Sequence, residues 1–227
     1  MAITKDIDTV MTISGGTECA AALLWAVKKG LKPVAVHLAS MADPENVLNA
    51  GIEASKKQCE YLGVPLIIDR VDIPQRKKNL FAVYQWQTAL LHVIKGNPQC
   101  KIKYMVWGAN AEDSFRQRIQ LRMPNRIMAV DNDDILEAIQ VQFHTVMNLP
   151  INLFPFEWMT KVELVSLLIR TDKKLYDMIF SCNNPTKDYK ACGRCRKCLE
   201  KDFSEQMALQ AKLRIQESVD YVNSYKD

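Results

Sequence analysis

Four cysteines near the carboxyl-terminal end of the sequence have the spacing of a metal site. They are Cys182, Cys192, Cys195 and Cys198, in the pattern C-x9-C-x2-C-x2-C. Four thiolates at this spacing can close a tetrahedron around one ion, which is the geometry that zinc prefers. Because a complete thiolate shell leaves no open position, the sequence predicts a structural zinc site. An iron–sulfur cluster is the alternative, since thiolates also bind iron.

The second feature that could bind a ligand or take part in catalysis is a glycine turn near the amino terminus. An apolar run ends at Ser14-Gly15-Gly16, and a helical pattern begins at Glu18. Such a turn directs backbone N–H groups and the positive end of a helix at one spot, which suits a phosphate. The glycines let the backbone approach an anion without Cβ clashes, and Ser14 and Thr17 add hydroxyl donors. The alternative is a plain strand-to-helix connection, which this turn alone does not exclude.

The rest of the chain alternates between strand and helix patterns. Strands are predicted at 7–13, 32–38, 64–71, 103–107 and 151–154, and helices at 18–29, 44–62, 79–94, 133–149, 160–169, 172–180 and 201–225. Strands that alternate with helices of this length form a parallel sheet covered on both faces. The sequence therefore predicts an α/β fold of the Rossmann-like, doubly wound type. A small helical subdomain with the four-cysteine zinc knot follows it, with a boundary near Phe154.

This fold type predicts where a ligand binds. In an open parallel sheet, ligands bind beyond the carboxyl ends of the strands. The segments 14–19, 38–42 and 108–113 each follow a predicted strand and are expected at that edge. His37 lies next to the edge, and Glu112 and Asp113 offer carboxylates for a metal ion or a purine amino group. The glycine turn is therefore expected to be part of a site.

Composition favours a soluble, cytoplasmic globular protein. The 227 residues are 48% hydrophobic and 25% charged, which allows an ample core. No apolar run approaches membrane-spanning length, and the first residues lack a signal-peptide core. Seven cysteines in such a chain favour metal binding or reactive thiols over disulfides. The long final helix could serve a homodimer interface as readily as it could cap the sheet.

An arginine-rich stretch is the strongest feature in favour of nucleic-acid binding. Arg118, Arg122 and Arg126 recur every four residues and could contact a phosphate or an RNA backbone. Pro124 interrupts any helix there, and acidic residues follow at 131–137. The net charge of +4 does not by itself call for nucleic acid. Nucleic-acid binding is therefore an alternative that the sequence does not favour.

Together, the strand-SGG-helix opening and the four-cysteine knot resemble the 7-cyano-7-deazaguanine synthases (QueC family), which belong to the PP-loop ATP pyrophosphatases. Three further stretches fit in order along the chain. VWGANAEDS (106–114) has Asp113 at the matching aspartate, and NLFPFEWMTKVEL (152–164) has Pro155, Lys161 and Glu163 at matching positions. SCNNPTKDYKACGRCRKCLEK (181–201) is similar to the family's zinc segment. The resemblance covers most of the chain.

The resemblance implies an ATP-dependent C–N ligase of queuosine biosynthesis. Such an enzyme converts 7-carboxy-7-deazaguanine and ammonia to 7-cyano-7-deazaguanine through an adenylate, and it releases AMP and pyrophosphate. The resemblance further implies a PP-loop nucleotide-binding domain over 1–154, a zinc-binding region over 155–227, and ATP with Mg²⁺ as cosubstrate. Its implied catalytic residues are Asp113 and Lys161, and its structural Zn²⁺ lies on the four cysteines. The implied ATP-binding residues are Ser14, Gly15, Gly16, Thr17, Glu18, Cys19 and His37.

Departures from the family pattern leave other functions open. The family loop reads Ser-Gly-Gly-x-Asp-Ser, whereas here Glu18 and Cys19 occupy its last two positions. Glutamate is one methylene longer than aspartate, and a thiol is a weaker donor than a hydroxyl. The family's Pro-Gly-Arg-Asn segment on the substrate side has no clear match. The alternatives are a divergent or catalytically degenerate PP-loop protein with another substrate or a binding role, and a PP-loop tRNA-modifying enzyme such as a thiolation enzyme.

Overall fold

The structure is a computed structural model, and it describes residues 5–41, 43–71, 93, 96–97, 100–111 and 151–210. A parallel sheet lies at the centre of this part of the chain. In chain order the elements are β1 (Thr9–Thr12), α1 (Thr17–Lys28), β2 (Pro33–Ser40), α2 (Glu45–Leu62), β3 (Leu66–Val71), β4 (Tyr104–Val106), β5 (Ile151–Leu153), α3 (Lys161–Thr171), α4 (Lys173–Asp177) and α5 (Arg196–Gln210). The five strands follow the order β3-β2-β1-β4-β5, and every neighbouring pair is parallel. This is the strand order of a doubly wound sheet. The predicted fold class is therefore confirmed.

The sheet is buried as a parallel sheet requires. All eight residues of β2 are buried, because β1 and β3 flank it and side chains pack on both of its faces. A strand covered on both faces reads as a continuous apolar run, and PVAVHLAS is close to that pattern. The polar exceptions are His37 and Ser40, which are buried with the rest.

The helices after β5 share a hydrophobic core with α1. Ala20 and Leu24 of α1 pack in one cluster with Leu164 and Leu168 of α3, and Tyr176 of α4 belongs to the same cluster. The division into domains over 1–154 and 155–227 stays a prediction. The common cluster fixes α3 beside the first helix and so brings the start of α3 towards the turn after β1.

A capping box fixes the start of α3. The Thr160 hydroxyl accepts a hydrogen bond from the Glu163 backbone N–H at 3.3 Å, and the Glu163 carboxylate accepts one from the Thr160 N–H at 2.7 Å. The spacing of these two residues predicted this cap, and the structure confirms it. Lys161, the first residue of α3, therefore has a well-defined backbone position.

The final helix begins earlier than its sequence pattern indicates. The prediction starts it at residue 201, whereas α5 begins at Arg196. The Leu199 N–H donates to the Cys195 carbonyl at 3.0 Å, and Arg196 pairs with Glu200 one turn later at 2.6 Å. These contacts extend the helix towards the cysteines, so Cys198 lies on its first turn.

Several predictions fall outside the described residues. They are the helix at 133–149, the helix at 79–94 apart from residue 93, the arginine stretch, Asp113, and the part of the final helix beyond residue 210. Among the helices that are described, none has the length and apolar character needed to cross a bilayer.

Candidate functional site

The glycine turn lies at the point where the strand order reverses. β1 is flanked by β2 on one side and β4 on the other, and ligands bind at such a switch point in doubly wound sheets. Ser14-Gly15-Gly16 follows β1, and Gly108 follows β4. A Cβ on Gly108 would lie only 2.8 Å from the Cys19 backbone nitrogen, so the segment after β4 runs directly against the first turn of α1.

Contacts with α2 and with Phe180 fix the conformation of the glycine turn. Gly15 has a φ of +81°, and a Cβ there would lie 2.7 Å from the Ala54 Cβ of α2. Its carbonyl accepts hydrogen bonds from the Gln58 side-chain amide at 2.9 Å and from the Phe180 N–H at 3.0 Å. The turn is thus held by α2 and by the segment that leads to Cys182.

The start of α1 offers donors to an anion. Gly16 is the N-cap residue, and no side chain caps it in the described part of the chain. The first N–H groups of a helix have no intrahelical partner, and they form the positive end of the helix dipole. The Thr17 hydroxyl is buried beside them and has no hydrogen-bond partner among the described atoms. These donors suit an oxyanion.

Glu18 forms an ion pair with a lysine from a distant part of the chain, which places that lysine beside the turn. Its Oε1 lies 3.1 Å from the Lys161 Nζ and accepts a hydrogen bond from the Asn110 side-chain amide at 3.0 Å. The Lys161 and Glu18 side chains are only 12% and 19% exposed. The sequence predicted both as site residues, and the structure brings them together. Asn110 was missed; the only signal was its position in the segment that follows β4.

A cavity of about 190 Å³ opens between the turn and the cysteines. The turn side contributes Ser14, Gly16, Glu18 and Lys161, and the cysteine side contributes Cys182 and Lys197. Pockets that enclose drug-sized molecules have volumes of about 300–1,000 Å³. This cavity therefore suits a phosphate or pyrophosphate group better than a whole nucleotide.

The four predicted cysteine ligands form one cluster. All four Sγ atoms lie within 4.8 Å of one another, and three of the separations are 3.5, 3.8 and 3.9 Å. An ion with metal–sulfur bonds of about 2.3 Å in a tetrahedron separates its sulfurs by about 3.8 Å. Thiolates on a four-iron cluster each bind a different iron and therefore stand farther apart. The donor set and its spacing thus fit a single tetrahedral ion.

Backbone N–H groups prepare some of these thiols to bind a cation. The Asn183 N–H donates to the Cys195 Sγ at 3.4 Å and is the main cause that lowers the pKa of Cys195 to about 6. The pKa of Cys192 is also lowered, chiefly by a hydrogen bond from the Arg194 backbone. Burial instead raises the pKa of Cys198 to about 12. Cys192 and Cys195 therefore favour the thiolate form, whereas Cys198 needs the charge of an ion to lose its proton.

His37 is close to the turn but behind the wall of the cavity. Its side chain is in β2, where Nδ1 lies 2.8 Å from the Ser55 Oγ of α2. Gly51, which lines the cavity, separates the two: a Cβ there would lie 3.3 Å from the His37 Cε1 and 3.5 Å from the Ser14 carbonyl oxygen. Burial lowers the pKa of His37 to about 4, so the ring is neutral at pH 7. Its assignment to the ATP site stays a prediction.

Cys19 stays on the turn. Its Sγ lies 3.5 Å from the Ser14 Oγ, so the thiol contacts the first hydroxyl of the turn. The second predicted catalytic residue, Asp113, lies outside the described residues. The predicted site residues that line the smaller cavity are therefore Ser14, Gly16, Glu18, Lys161 and Cys182.

A second, larger cavity lies on the other side of Phe180. Its volume is about 630 Å³, and it is enclosed by α2 and by residues 177–180 and 188–190. Phe180 lines both cavities. The second cavity carries both signs of charge, from Glu53 and Asp188 and from Lys57 and Lys190.

Comparison with protein-family models gave no match, and comparison with curated proteins gave none. Among solved structures, the chain is similar to the U34-tRNA thiolase NcsA from Methanococcus maripaludis, solved with its [4Fe-4S] cluster, at 16% identity and a TM-score of 0.55, over 98% of this chain and 72% of that one. The NMN synthetase from Francisella tularensis aligns at 15% identity, over 97% of this chain and 86% of that one, but with a TM-score of 0.35. At these identities the likeness to the thiolase shows the fold alone, and the second match carries no argument.

Proposed function

We propose that the chain binds ATP at the glycine turn and uses it to activate a carboxylate. The observation that carries the proposal is the small cavity at the switch point of the sheet, where Ser14, Gly16 and Lys161 surround space for a phosphate group. The uncapped start of α1 adds backbone donors at the same place. Such a site favours a reaction in which pyrophosphate is the leaving group.

The chemistry that this arrangement supports is adenylation. A carboxylate oxygen attacks the α-phosphorus of ATP, and the bond to the β-phosphate oxygen breaks, so negative charge grows on the leaving pyrophosphate. Lys161 and the first N–H groups of α1 stabilise that charge, and bound Mg²⁺ would add to it. The site otherwise acts by holding the two reactants in position.

We propose 7-carboxy-7-deazaguanine as the acid and ammonia as the nucleophile that displaces AMP. The resemblance to the 7-cyano-7-deazaguanine synthases, carried by the SGG turn, Lys161 and the cysteine segment, supports this substrate class. In the same proposal the four cysteines hold a structural Zn²⁺. Three of their sulfur separations, which measure 3.5 to 3.9 Å, support one tetrahedral ion in that position.

A second candidate function is ATP-dependent modification of tRNA. The observation in its favour is the likeness in fold to a tRNA thiolase that carries a [4Fe-4S] cluster, together with the position of Cys182 on the wall of the cavity. Thiolation needs a reactive cysteine or a cluster that can carry sulfur. The sulfur spacing here suits a single ion, which favours the ligase.

The test is a reaction with zinc-loaded protein, ATP, Mg²⁺, ammonium and 7-carboxy-7-deazaguanine. We expect release of AMP and pyrophosphate that depends on the acid, and loss of that release in Lys161→Gln. Lys187→Gln is the matched control, because Lys187 is an exposed lysine of the cysteine segment. Release that depends on tRNA instead, with iron and sulfide in the purified protein, would favour the second candidate. No turnover and no change in melting temperature with ATP would refute both.

A further inference from the structure

We propose that Lys197, a residue of the cysteine knot (residues 182–198), is an anion-binding residue of the phosphate cavity. This inference rests on the proposed function and adds a second lysine to its phosphate site. It also gives the cysteine knot a part in binding, beyond its role as a structural zinc site.

The first argument is position. Lys197 lines the same 190 Å³ cavity as Ser14, Gly16 and Lys161, and it enters from the opposite side. It lies on the first turn of α5, and two ligand cysteines, Cys195 and Cys198, flank it in sequence. A metal ion on those ligands therefore fixes the backbone from which the lysine side chain reaches.

The second argument is that hydrogen bonds hold the cysteine knot against the turn. The Phe180 N–H, two residues before the first ligand, donates to the Gly15 carbonyl at 3.0 Å. The Gln58 amide donates to the same carbonyl at 2.9 Å and reaches the Met178 carbonyl at 3.5 Å. The Asn46 amide binds the Pro185 carbonyl at 2.7 Å. These hydrogen bonds hold the cysteine knot beside the glycine turn, so that Lys197 lines the cavity between them.

The third argument is charge. Four thiolates around a divalent ion keep a net negative charge, and Cys182 places part of that charge on the cavity wall. Glu18 already pairs with Lys161 at 3.1 Å, which reduces the positive charge available to a phosphate. A second cation is needed if an anion is to bind between these groups. Lys197 supplies it; Glu200, one turn away, pairs with Arg196 at 2.6 Å and is also close enough to Lys197 and Lys161 for their charges to act on it.

The test measures the affinity of zinc-loaded protein for ATP and for pyrophosphate by titration calorimetry. We expect Lys197→Gln to weaken both affinities about tenfold, because one charge-assisted hydrogen bond is lost. Lys197→Arg keeps the charge and is expected to bind nearly as the unaltered chain does. Lys187→Gln removes an exposed lysine of the same knot and is expected to change little. Zinc content and melting temperature are measured for each variant.

The outcomes separate this inference from the proposed function. If the unaltered chain binds ATP and Lys197→Gln binds it equally well, the inference is wrong and the proposed function stands. Equal losses in Lys197→Gln and Lys187→Gln would indicate a general effect of surface charge and would also overturn it. If the unaltered chain binds neither ATP nor pyrophosphate, both are wrong. A selective loss in Lys197→Gln at full zinc content, reversed by arginine, supports the inference.

Discussion

The cysteine knot and the glycine turn face each other across one cavity, but they are built in opposite ways. All four ligands of the knot come from one short segment, and their sulfurs lie within 4.8 Å of one another. The turn instead depends on residues from distant parts of the chain: Ala54 and Gln58 of α2, Gly108 after β4, and Lys161 at the start of α3. A site of the first kind can be recognised from spacing, whereas one of the second kind exists only in the folded protein.

The two regions should therefore fail for different reasons. We expect the knot to need an ion, because four sulfurs at these separations would gain their stability from a shared cation. The turn needs close packing, because atoms of α2 and α1 approach Gly15 and Gly108 where a side chain would stand. The predictions below test this difference, from the largest expected effect to the smallest.

Removal of the metal should have the largest effect. We expect a strong chelator, or Cys192→Ser, to lower the free energy of unfolding by roughly 5 kcal/mol, because bound metal contributes directly to folding in such sites. The measurement is chemical unfolding with and without added zinc. Cys100→Ser, at a cysteine outside the knot, is the control and should change stability little. If the chelator leaves the unfolding midpoint unchanged, the knot does not depend on an ion.

The packing of the turn is tested at Gly108. A Cβ there would lie 2.8 to 2.9 Å from backbone atoms of Glu18 and Cys19, which cannot move without disturbing α1. We expect Gly108→Ala to cost about 3 kcal/mol of stability and to weaken phosphate binding. Gly96→Ala is the matched control, because no atom of the described residues lies within 4 Å of a Cβ at Gly96. Equal stability of the two variants would show that the turn does not rely on this contact.

The same contrast explains what could be predicted from the sequence. The five strands, the parallel sheet, the Thr160–Glu163 cap and the cysteine cluster follow from local patterns, and the structure confirms them. The position of the glycine turn followed from the general rule about strand ends. These features need only the periodicity or spacing of neighbouring residues.

The contacts of the turn could not be predicted, because they depend on how separate elements pack. Nothing local to Asn110 indicates that its amide reaches Glu18, and nothing near Gly108 indicates that α1 runs against it. His37 illustrates the same limit: its position near a strand end suggested the edge of the site, and only the packing of α2 places it behind Gly51.

The pH dependence of stability tests whether His37 is buried as a neutral ring behind the glycine turn. Burial lowers the folded pKa of His37 to about 4 from its ordinary value of 6.5, so the unfolded chain takes up a proton first as the pH falls. Its contribution to stability is complete above 6.5 and is lost as the pH falls towards 4. We expect a loss of about 2 kcal/mol between about pH 7 and pH 5 from this residue.

The measurement is the difference in unfolding free energy between the unaltered chain and His37→Gln across this pH range. Protonation of the cysteine ligands also destabilises the protein at low pH, but it contributes equally to both chains and cancels. Parallel pH profiles for the two chains would mean that His37 is not buried as a neutral ring, and the described wall behind the turn would then be wrong.

Loss of the ion pair between Glu18 and Lys161 should lower stability the least of these changes, and it should strengthen the binding of an anion. Glu18→Gln removes the charge but keeps an oxygen that can accept from the Asn110 amide and the Lys161 ammonium group, so we expect a loss of about 1 kcal/mol. Because the Glu18 carboxylate then no longer offsets the charge of Lys161, pyrophosphate should bind a few-fold more tightly. Glu53→Gln, which breaks the exposed pair with Lys56, is the control and should change neither quantity. Weaker binding in Glu18→Gln would mean that the carboxylate itself serves the ligand, for example through a metal ion, and that the turn shares with the knot a dependence on a bound cation.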